Sequence, residues 1–406
     1  MSQRNPTVPC DILLSVTTTT QTADVLVIGA GIVGASVAYH AVMAGLRVAV
    51  VDRGGPAAGT SSACEGNILV SDKEPGAELE LAMLSRRLWD RIADDLGSRA
   101  FEFDAKEGVV VATSEAEASA LRAFAAKQRA AGIEVADVDP AGLRELEPNL
   151  SRDVAGGAHY PQDAQVQPML ATAHLLARAR GLGASVHLGT TVTGFTKTSD
   201  GRVTGVATAS PTLPTLSARW VVNAAGTWAG EVAALADAPI PILPRRGFLL
   251  VTEPLPKAIV HKVYTADYVA NVASSDADLQ TSVVVEGTPS GTVLIGASRE
   301  RVGFERTFSA AVIRRLAAQV VELFPFLADV SLMRTYLGFR PYCPDHLPVI
   351  GEDPRASGLI HAAGHEGAGI GLSAATGHLI AQLAAGIPTD LDLGPFRPDR
   401  FGRGSA

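Results

Sequence analysis

Short apolar runs alternate along this chain with longer alanine-rich stretches. The first run, Val25–Ile28, is apolar at every position, as a strand buried on both faces must be. An alanine-rich helical stretch follows, then a second unbroken run, Val48–Val51. Over Glu78–Leu96 the apolar positions recur at three and four residues, the spacing of a helix with one buried face. The segment FEFDAKEGVVVAT, 101–113, predicts two strands joined at a turn, and 114–148 returns to alanine-rich helix. A helix over Pro168–Arg180 precedes short strands at Ser185–Leu188, Val192–Phe195, Val203–Ala207 and Arg219–Asn223. Between 243 and 300, the runs Gly247–Thr252, Ser282–Glu286 and Thr292–Ala297 alternate in the manner of an antiparallel sheet. A helix over Ala310–Phe324, a strand over Leu359–Ala362 and a last helix to about Ala384 complete the pattern.

The turn between the first two strands carries the most specific chemistry. It reads Gly29-Ala30-Gly31-Ile32-Val33-Gly34, and the second strand closes on Asp52-Arg53. Gly29 permits a tight strand-to-helix turn, Gly31 lets backbone approach a pyrophosphate, and Gly34 lets the helix pack closely on the strand. The helix that starts there directs free N–H groups and its positive dipole end at phosphate. Asp52 stands at the spacing that suits ribose hydroxyls. A GxGxxG alone is weak evidence; between two buried strands it predicts a dinucleotide site.

The fold expected is α/β. A Rossmann-like cofactor-binding domain is built from three discontinuous segments, 23–90, 165–235 and 336–406. An inserted α+β substrate domain with a mainly antiparallel sheet takes 91–164 and 236–335. Residues 1–22 hold only a weak apolar patch and a threonine run, and read as a disordered extension.

Composition narrows the classes. The 406 residues are 47% hydrophobic and 19% charged, which suits a globular enzyme and excludes a disordered or fibrous chain. A net charge of −8 argues against a nucleic-acid partner, which would need a basic stripe. Cys10, Cys64 and Cys343 have neither disulfide nor metal spacing, so no metal site is expected. No apolar run reads as a membrane span or a signal peptide, and the expectation is a cytoplasmic protein.

Five spaced motifs resemble the D-amino-acid oxidase superfamily of FAD enzymes, over nearly the whole chain after residue 22. They are the GAGIVG turn, GTSSACEGN at 59–67, NAAGTWAG at 223–230, GFRPYCPDHLPVIG at 338–351 and AAGHEGAGIG at 362–371. The likeness points toward glycine and sarcosine oxidases, hydrogen cyanide synthase, opine oxidase and D-hydroxyproline dehydrogenase subunits. It implies FAD as the cofactor and assigns contacts beyond the first turn. In the second motif these are Thr60, Ser61 and Ser62, either at phosphate and flavin edge or in a plain turn, together with Gly66 and Asn67. Val192 matches the position whose backbone holds the adenine. Ala224, Ala225 and Gly226 end a strand on small residues, which suits close approach of cofactor or simple packing. Trp228 stands as a flavin-side contact or as core. Gly338, Gly364, Glu366, Gly367, Gly369 and Ile370 complete the set, the last five opening a helix whose N-terminus would favour negative charge on the flavin.

The resemblance also implies the reaction. An amine bearing a carboxylate loses hydride from its α-carbon to flavin N5, and the resulting imine hydrolyses. Arg340, in Gly338-Phe-Arg-Pro341, matches the carboxylate-binding arginine; its planar fork suits a bidentate carboxylate. His365 either lines the active site or is structural. Tyr264 and Tyr268 could close the pocket or pack within the inserted sheet. Two positions depart from relatives: Gly367 stands where glycine oxidases carry a second arginine, and Leu294 where sarcosine oxidases carry a lysine. The second departure favours an electron acceptor other than oxygen. Cys343 does not match the cysteines that tether flavin, so a non-covalent cofactor is expected. The readings compared are an FAD-dependent oxidase or dehydrogenase of small amino or imino acids, a flavin subunit of a hetero-oligomer with an electron-transfer partner, and an NAD-linked dehydrogenase, which the last two motifs disfavour.

Overall fold

The structure is a computed structural model and describes residues 21–404 apart from residue 273. The expected extension lies outside the described residues except at its end, where Gln21 and Thr22 open the first strand.

Strand β1 (Gln21–Ile28), helix α1 (Ile32–Met43) and strand β2 (Val48–Val51) form the expected unit, with Val25 opposite Val48 in a parallel pair. Strand β3 (Asn67–Ile68) and helix α2 (Ala77–Leu96) follow. The stretch read as two strands holds one, β4 (Gly108–Ala112); residues Ser98–Phe101 form a 3-10 turn and Asp104 makes only an isolated bridge to Gln165. The long helix expected over 114–148 is divided. Gly132, at φ +91°, leads the chain out of α3 (Glu115–Ala130) into β5 (Ala136–Val138). Asp139 then caps α4 (Pro140–Leu146), whose first residue is a proline that needs no donor partner there.

Strands β6 (Gly156–Tyr160) and β7 (Ala164–Gln165) lead to α5 (Pro168–Gly181), β8 (Ser185–His187), β9 (Val192–Lys197), β10 (Val203–Thr208) and β11 (Thr215–Asn223). Helix α6 (Ala229–Ala234), β12 (Leu243–Thr252), β13 (Lys262–Thr265), α7 (Asp267–Val272), β14 (Gln280–Gly287) and β15 (Val293–Arg299) come next. The chain ends in α8 (Ala310–Leu323), β16 (Leu332–Tyr342), β17 (Val349–Glu352), β18 (Leu359–Ala363) and α9 (Gly369–Ala385).

Two sheets organise these elements. The first runs β17-β18-β11-β1-β2-β8, with β10 and β9 added on β11, and its five strands from β18 to β8 are parallel. The second runs β16-β12-β15-β14-β13-β4-β6-β5 and is antiparallel except where β13 meets β4. The expected boundary at 336 falls inside β16, which pairs with β12 almost along its length, so Gly338 and Arg340 stand on the second sheet. Likewise α2 runs across the expected boundary at 90.

Helix α9 lies against α1 at close range because a side chain on Gly377 would stand 2.4 Å from Ser36 Oγ. Residues 366–385 are long and apolar enough to cross a membrane by length and hydropathy, contrary to the sequence expectation, yet two-thirds of that window is buried inside the protein. A helix apolar all round is what a core position between α1 and α2 requires.

Candidate active site

One cavity of about 450 Å³ opens between the two sheets. The glycine turn borders this cavity. Gly29, at φ +114°, would place a Cβ 2.4 Å from the Ala224 carbonyl oxygen. Gly34 would place one 2.0 Å from the Gly29 carbonyl oxygen, so it serves packing and does not line the cavity. Gly31 lines it, with Ser61 Oγ 3.3 Å from where its Cβ would be. Gly29, Ile32 and Val33 line it too, whereas Ala30 lies behind and donates its N–H to Asp52 Oδ2 at 2.7 Å. The other Asp52 oxygen accepts from Gly54 N at 2.7 Å, so the carboxylate is fixed at the cavity's edge.

The loop after β2 is only partly as expected. Ser61 faces inward, its hydroxyl accepting the Ile32 N–H at 3.0 Å at the start of α1. Thr60 lines the cavity and donates to the Phe339 carbonyl at 2.6 Å. Ser62 is exposed and its hydroxyl turns back to the Gly59 carbonyl at 3.1 Å, so it is removed from the candidate contacts. Gly66 is also behind the wall: a Cβ there would meet Val166 O at 1.6 Å, and its N–H goes to Glu286 Oε2 at 3.0 Å. Asn67 does line the cavity, and its buried Oδ1 has no hydrogen-bond partner.

Val192, Ala224, Ala225 and Gly226 line the cavity from the first sheet. Trp228 is half-buried rather than core: Arg53 lies 4.2 Å over its ring and Phe304 stacks 5.3 Å away at 4°. Gly338 comes close to the loop, 2.6 Å separating its virtual Cβ from Ala63 Cβ. His365, Glu366, Gly367, Gly369 and Ile370 line the cavity where a 3-10 turn leads into α9; Gly364, at φ +76°, turns the chain behind them.

The two residues read as catalytic differ in character. Arg340 is half-buried on β16 and donates from Nη1 to the Ser298 carbonyl at 2.8 Å. Among the described residues no carboxylate pairs with it. His365 is buried and places Nε2 2.9 Å from Thr376 Oγ1. The Thr376 hydroxyl also lies 2.9 Å from the Leu372 carbonyl oxygen. Burial lowers the His365 pKa to about 4. A neutral, hydrogen-bonded histidine suits a positioning role better than proton transfer.

Several wall residues escaped the sequence reading. Cys64 lines the cavity, its thiol pKa pushed up by burial, while Cys343 is buried outside the lining. Glu65 is buried in the wall with Oε1 unpartnered, against Gly296. Tyr268 lines the cavity, but Tyr264 is fully buried and donates to Ser71 Oγ at 2.6 Å. A polar residue amid small ones, as in Ala63-Cys64-Glu65-Gly66, was the available signal for Glu65.

The description "FAD dependent oxidoreductase" belongs to the family whose model matches residues 24–383. The chain belongs to this family. It is 29% identical to "Hydrogen cyanide synthase subunit HcnC" of Pseudomonas aeruginosa, over 94% of this chain and 97% of that one. It is 30% identical to a glycine oxidase of Geobacillus kaustophilus, over 92% and 96%. The crystal structure of glycine oxidase from Geobacillus kaustophilus superposes with a TM-score of 0.84 at 28% identity, covering 94% of this chain and 99% of that one. L-proline dehydrogenase from P. horikoshii shares the fold, with a TM-score of 0.86 at 23% identity over 95% and 99%.

The cavity's own residues fit FAD. Glycines clear the turn at α1, a carboxylate closes β2, and the unpartnered Asn67 Oδ1 awaits a donor. The protein is an FAD-dependent oxidoreductase.

Proposed function

We propose that this enzyme oxidises the C–N bond of a small amino or imino acid, with Arg340 as the anchor of the substrate carboxylate. FAD, when bound, takes the hydride from the α-carbon, and the imine product hydrolyses in water. The observation that carries this reading is the Arg340 guanidinium, directed into the cavity wall with a backbone carbonyl as its hydrogen-bond partner and no carboxylate. Such a fork has donors left for a substrate carboxylate. Arg340 then fixes the α-carbon, and most of the chain's contribution is orientation rather than proton transfer. Neutral His365 holds the start of α9 through Thr376.

In this reading the cofactor contacts are the wall residues: Gly29, Gly31, Asp52, Ser61 and Asn67 at the turn and loop, and the start of α9 at Gly369. Electrons pass to an acceptor other than oxygen, since Leu294 offers no cation and Glu65 brings a carboxyl to the same strand at Gly296. The free thiols of Cys64 and Cys343 suit a reducing cytoplasm.

A second reading is a flavin subunit within a hetero-oligomer. It is favoured by the full-length likeness to HcnC, whose name is that of a subunit. Three cysteines cannot supply a four-cysteine cluster, so an iron–sulfur centre would sit on another chain.

A panel of glycine, sarcosine, D-amino acids, D-hydroxyproline and opines, with oxygen and a dye compared as acceptors, tests the reading. Bleaching of the flavin by one of these compounds supports it. No bleaching by any of them, in protein loaded with FAD, overturns it.

A further inference from the structure

We propose that the substrate carries two carboxylates, one held by Arg340 and the second by Arg299. This rests on the reading of Arg340 as a carboxylate anchor and narrows the substrate to iminodicarboxylic or acidic amino acids.

The register of the second sheet brings Arg299 beside the site, next to the lining residue Tyr268 although not itself in the lining. Strands β12 and β15 pair Leu250 with Ile295 and Val251 with Leu294. Continued one for one, Arg246 would face Arg299. Instead Arg246 and Glu300 exchange N–H···O=C bonds of 2.8 and 3.0 Å. One extra residue on β15 therefore places Arg299 opposite Gly247. Gly247 lines the cavity, and it lies on the same face of β12 as Arg245, whose partner across the strands is Arg340. Arg340 in turn reaches over Gly247 to Ser298, the neighbour of Arg299. Three arginines from three adjacent strands thus converge beside Tyr268 and Glu366.

Their charges are not balanced. Arg245 has Glu366 at 3.5 Å, and also donates to the Ser274 carbonyl and to Gln280 Oε1 at 3.0 Å each. Arg299 is 4% exposed, and among the described residues it has neither a carboxylate nor a hydrogen-bond acceptor. Its neighbour is the face of Tyr268, 5.0 Å from the guanidinium carbon, and that ring also lines the cavity. Burial lowers the Arg299 pKa to about 10, with Arg340 and Arg245 acting in the same direction. A guanidinium so far removed from water, with no carboxylate beside it, is costly unless a ligand supplies acceptors. Tyr268 sets off part of that cost by cation–π attraction, but its ring is no substitute for a carboxylate.

A substrate with one carboxylate would satisfy Arg340 and leave Arg299 bare. A second carboxylate on the nitrogen substituent or on the side chain would reach past Tyr268 and satisfy both.

Ligands that differ by one carboxylate test this on the full chain loaded with FAD. Thiodiacetate and (methylthio)acetate, which cannot be oxidised at a C–N bond, are titrated against the visible flavin spectrum. Iminodiacetate and sarcosine are compared by kcat/KM. We expect the dicarboxylate to be favoured about tenfold or more in each pair. Arg299→Met should bring the ratio close to one, Arg299→Lys should restore part of it, and Arg340→Met should weaken both members. FAD content and Tm of each variant report folding. Should the Met variant fail to fold, the wild-type ratios and the Lys variant still decide. Equal or weaker binding of the dicarboxylates overturns the proposal. So does a Met variant that weakens both members alike, since Arg299 would then supply only general positive potential. Turnover of monocarboxylates alone would sink the dicarboxylate site and keep the proposed function; flavin unresponsive to every amino and imino acid would sink the function itself.

Discussion

Arg340 on β16 crosses over Gly247 on β12 to reach the Ser298 carbonyl, and a side chain at 247 would stand 2.2 Å from its Nη1. The missing side chain at Gly247 is therefore part of the anchor. It leaves the space through which one strand's arginine enters the cavity wall beside another's.

Arg340→Ala should lower kcat/KM for carboxylate substrates by about a hundredfold or more. Two charge-assisted bonds are lost, each of roughly 1.5–3 kcal/mol. Lysine should rescue only in part, because a point charge cannot reproduce the fork. Gly247→Ala should act in the same direction while Arg340 remains present, since the new methyl also meets Ser298 O at 2.5 Å. Steady-state kinetics with flavin content as control would check both; a variant that loses FAD would move Arg340 to a structural role.

Gly31 and Gly34 should fail differently. A bulky residue at Gly31 enters the cavity and should abolish FAD loading while the apoprotein stays folded. Gly34→Ala meets backbone 2.0 Å away and should lower Tm as well. Absorbance near the flavin bands and thermal melts separate the two; normal loading in the Gly31 variant would dismiss this turn as the cradle.

The flavin should be released as intact FAD by acid precipitation. Cys343 lies outside the cavity lining, and the Cys64 thiol, though in it, is kept protonated by burial. Colour retained in the pellet would show a covalent bond and point first to Cys64.

Turnover with a dye or quinone should clearly exceed turnover with oxygen. Leu294 supplies no cation for developing superoxide, and the Glu65 carboxyl against Gly296 opposes negative charge there. Equal rates with both acceptors would count against this account.

Acid should destabilise the fold partly through His365. Its folded pKa of about 4 lies below the ordinary 6.5, so protonation favours the unfolded chain. The neutral ring's contribution is complete above pH 6.5 and is lost as pH falls toward 4, at up to about 1.4 kcal/mol per pH unit. His365→Gln should shallow the fall in Tm between these limits, although His40, with its pKa lowered to about 3 by burial, keeps some of it. An unchanged slope would show that His365 is not a buried titrating group.

Some of this protein is determined locally and can be read without the fold. The run Val25–Ile28, the glycine turn and Asp52 act on one another within about thirty residues, so the strand–helix–strand unit follows from short-range sterics and strand burial. The motif around Arg340 and the glycine-rich entry to α9 are legible through their family resemblance. What the chain alone does not decide is which distant segments meet. Helix propensity over 114–148 was overridden by Gly132 and by pairing of β5 with β6. Ser62 looks like Ser61 in sequence, but the turn sends one hydroxyl outward and the other to α1. Arg299 lies in a plain strand pattern, and only the one-residue shift against β12 turns it to the face that Arg340 reaches. Local sterics act between neighbours in sequence, whereas register and burial arise between strands that the chain separates, such as Ala136 and His159 or Arg246 and Glu300, and those contacts exist only once the second sheet has assembled.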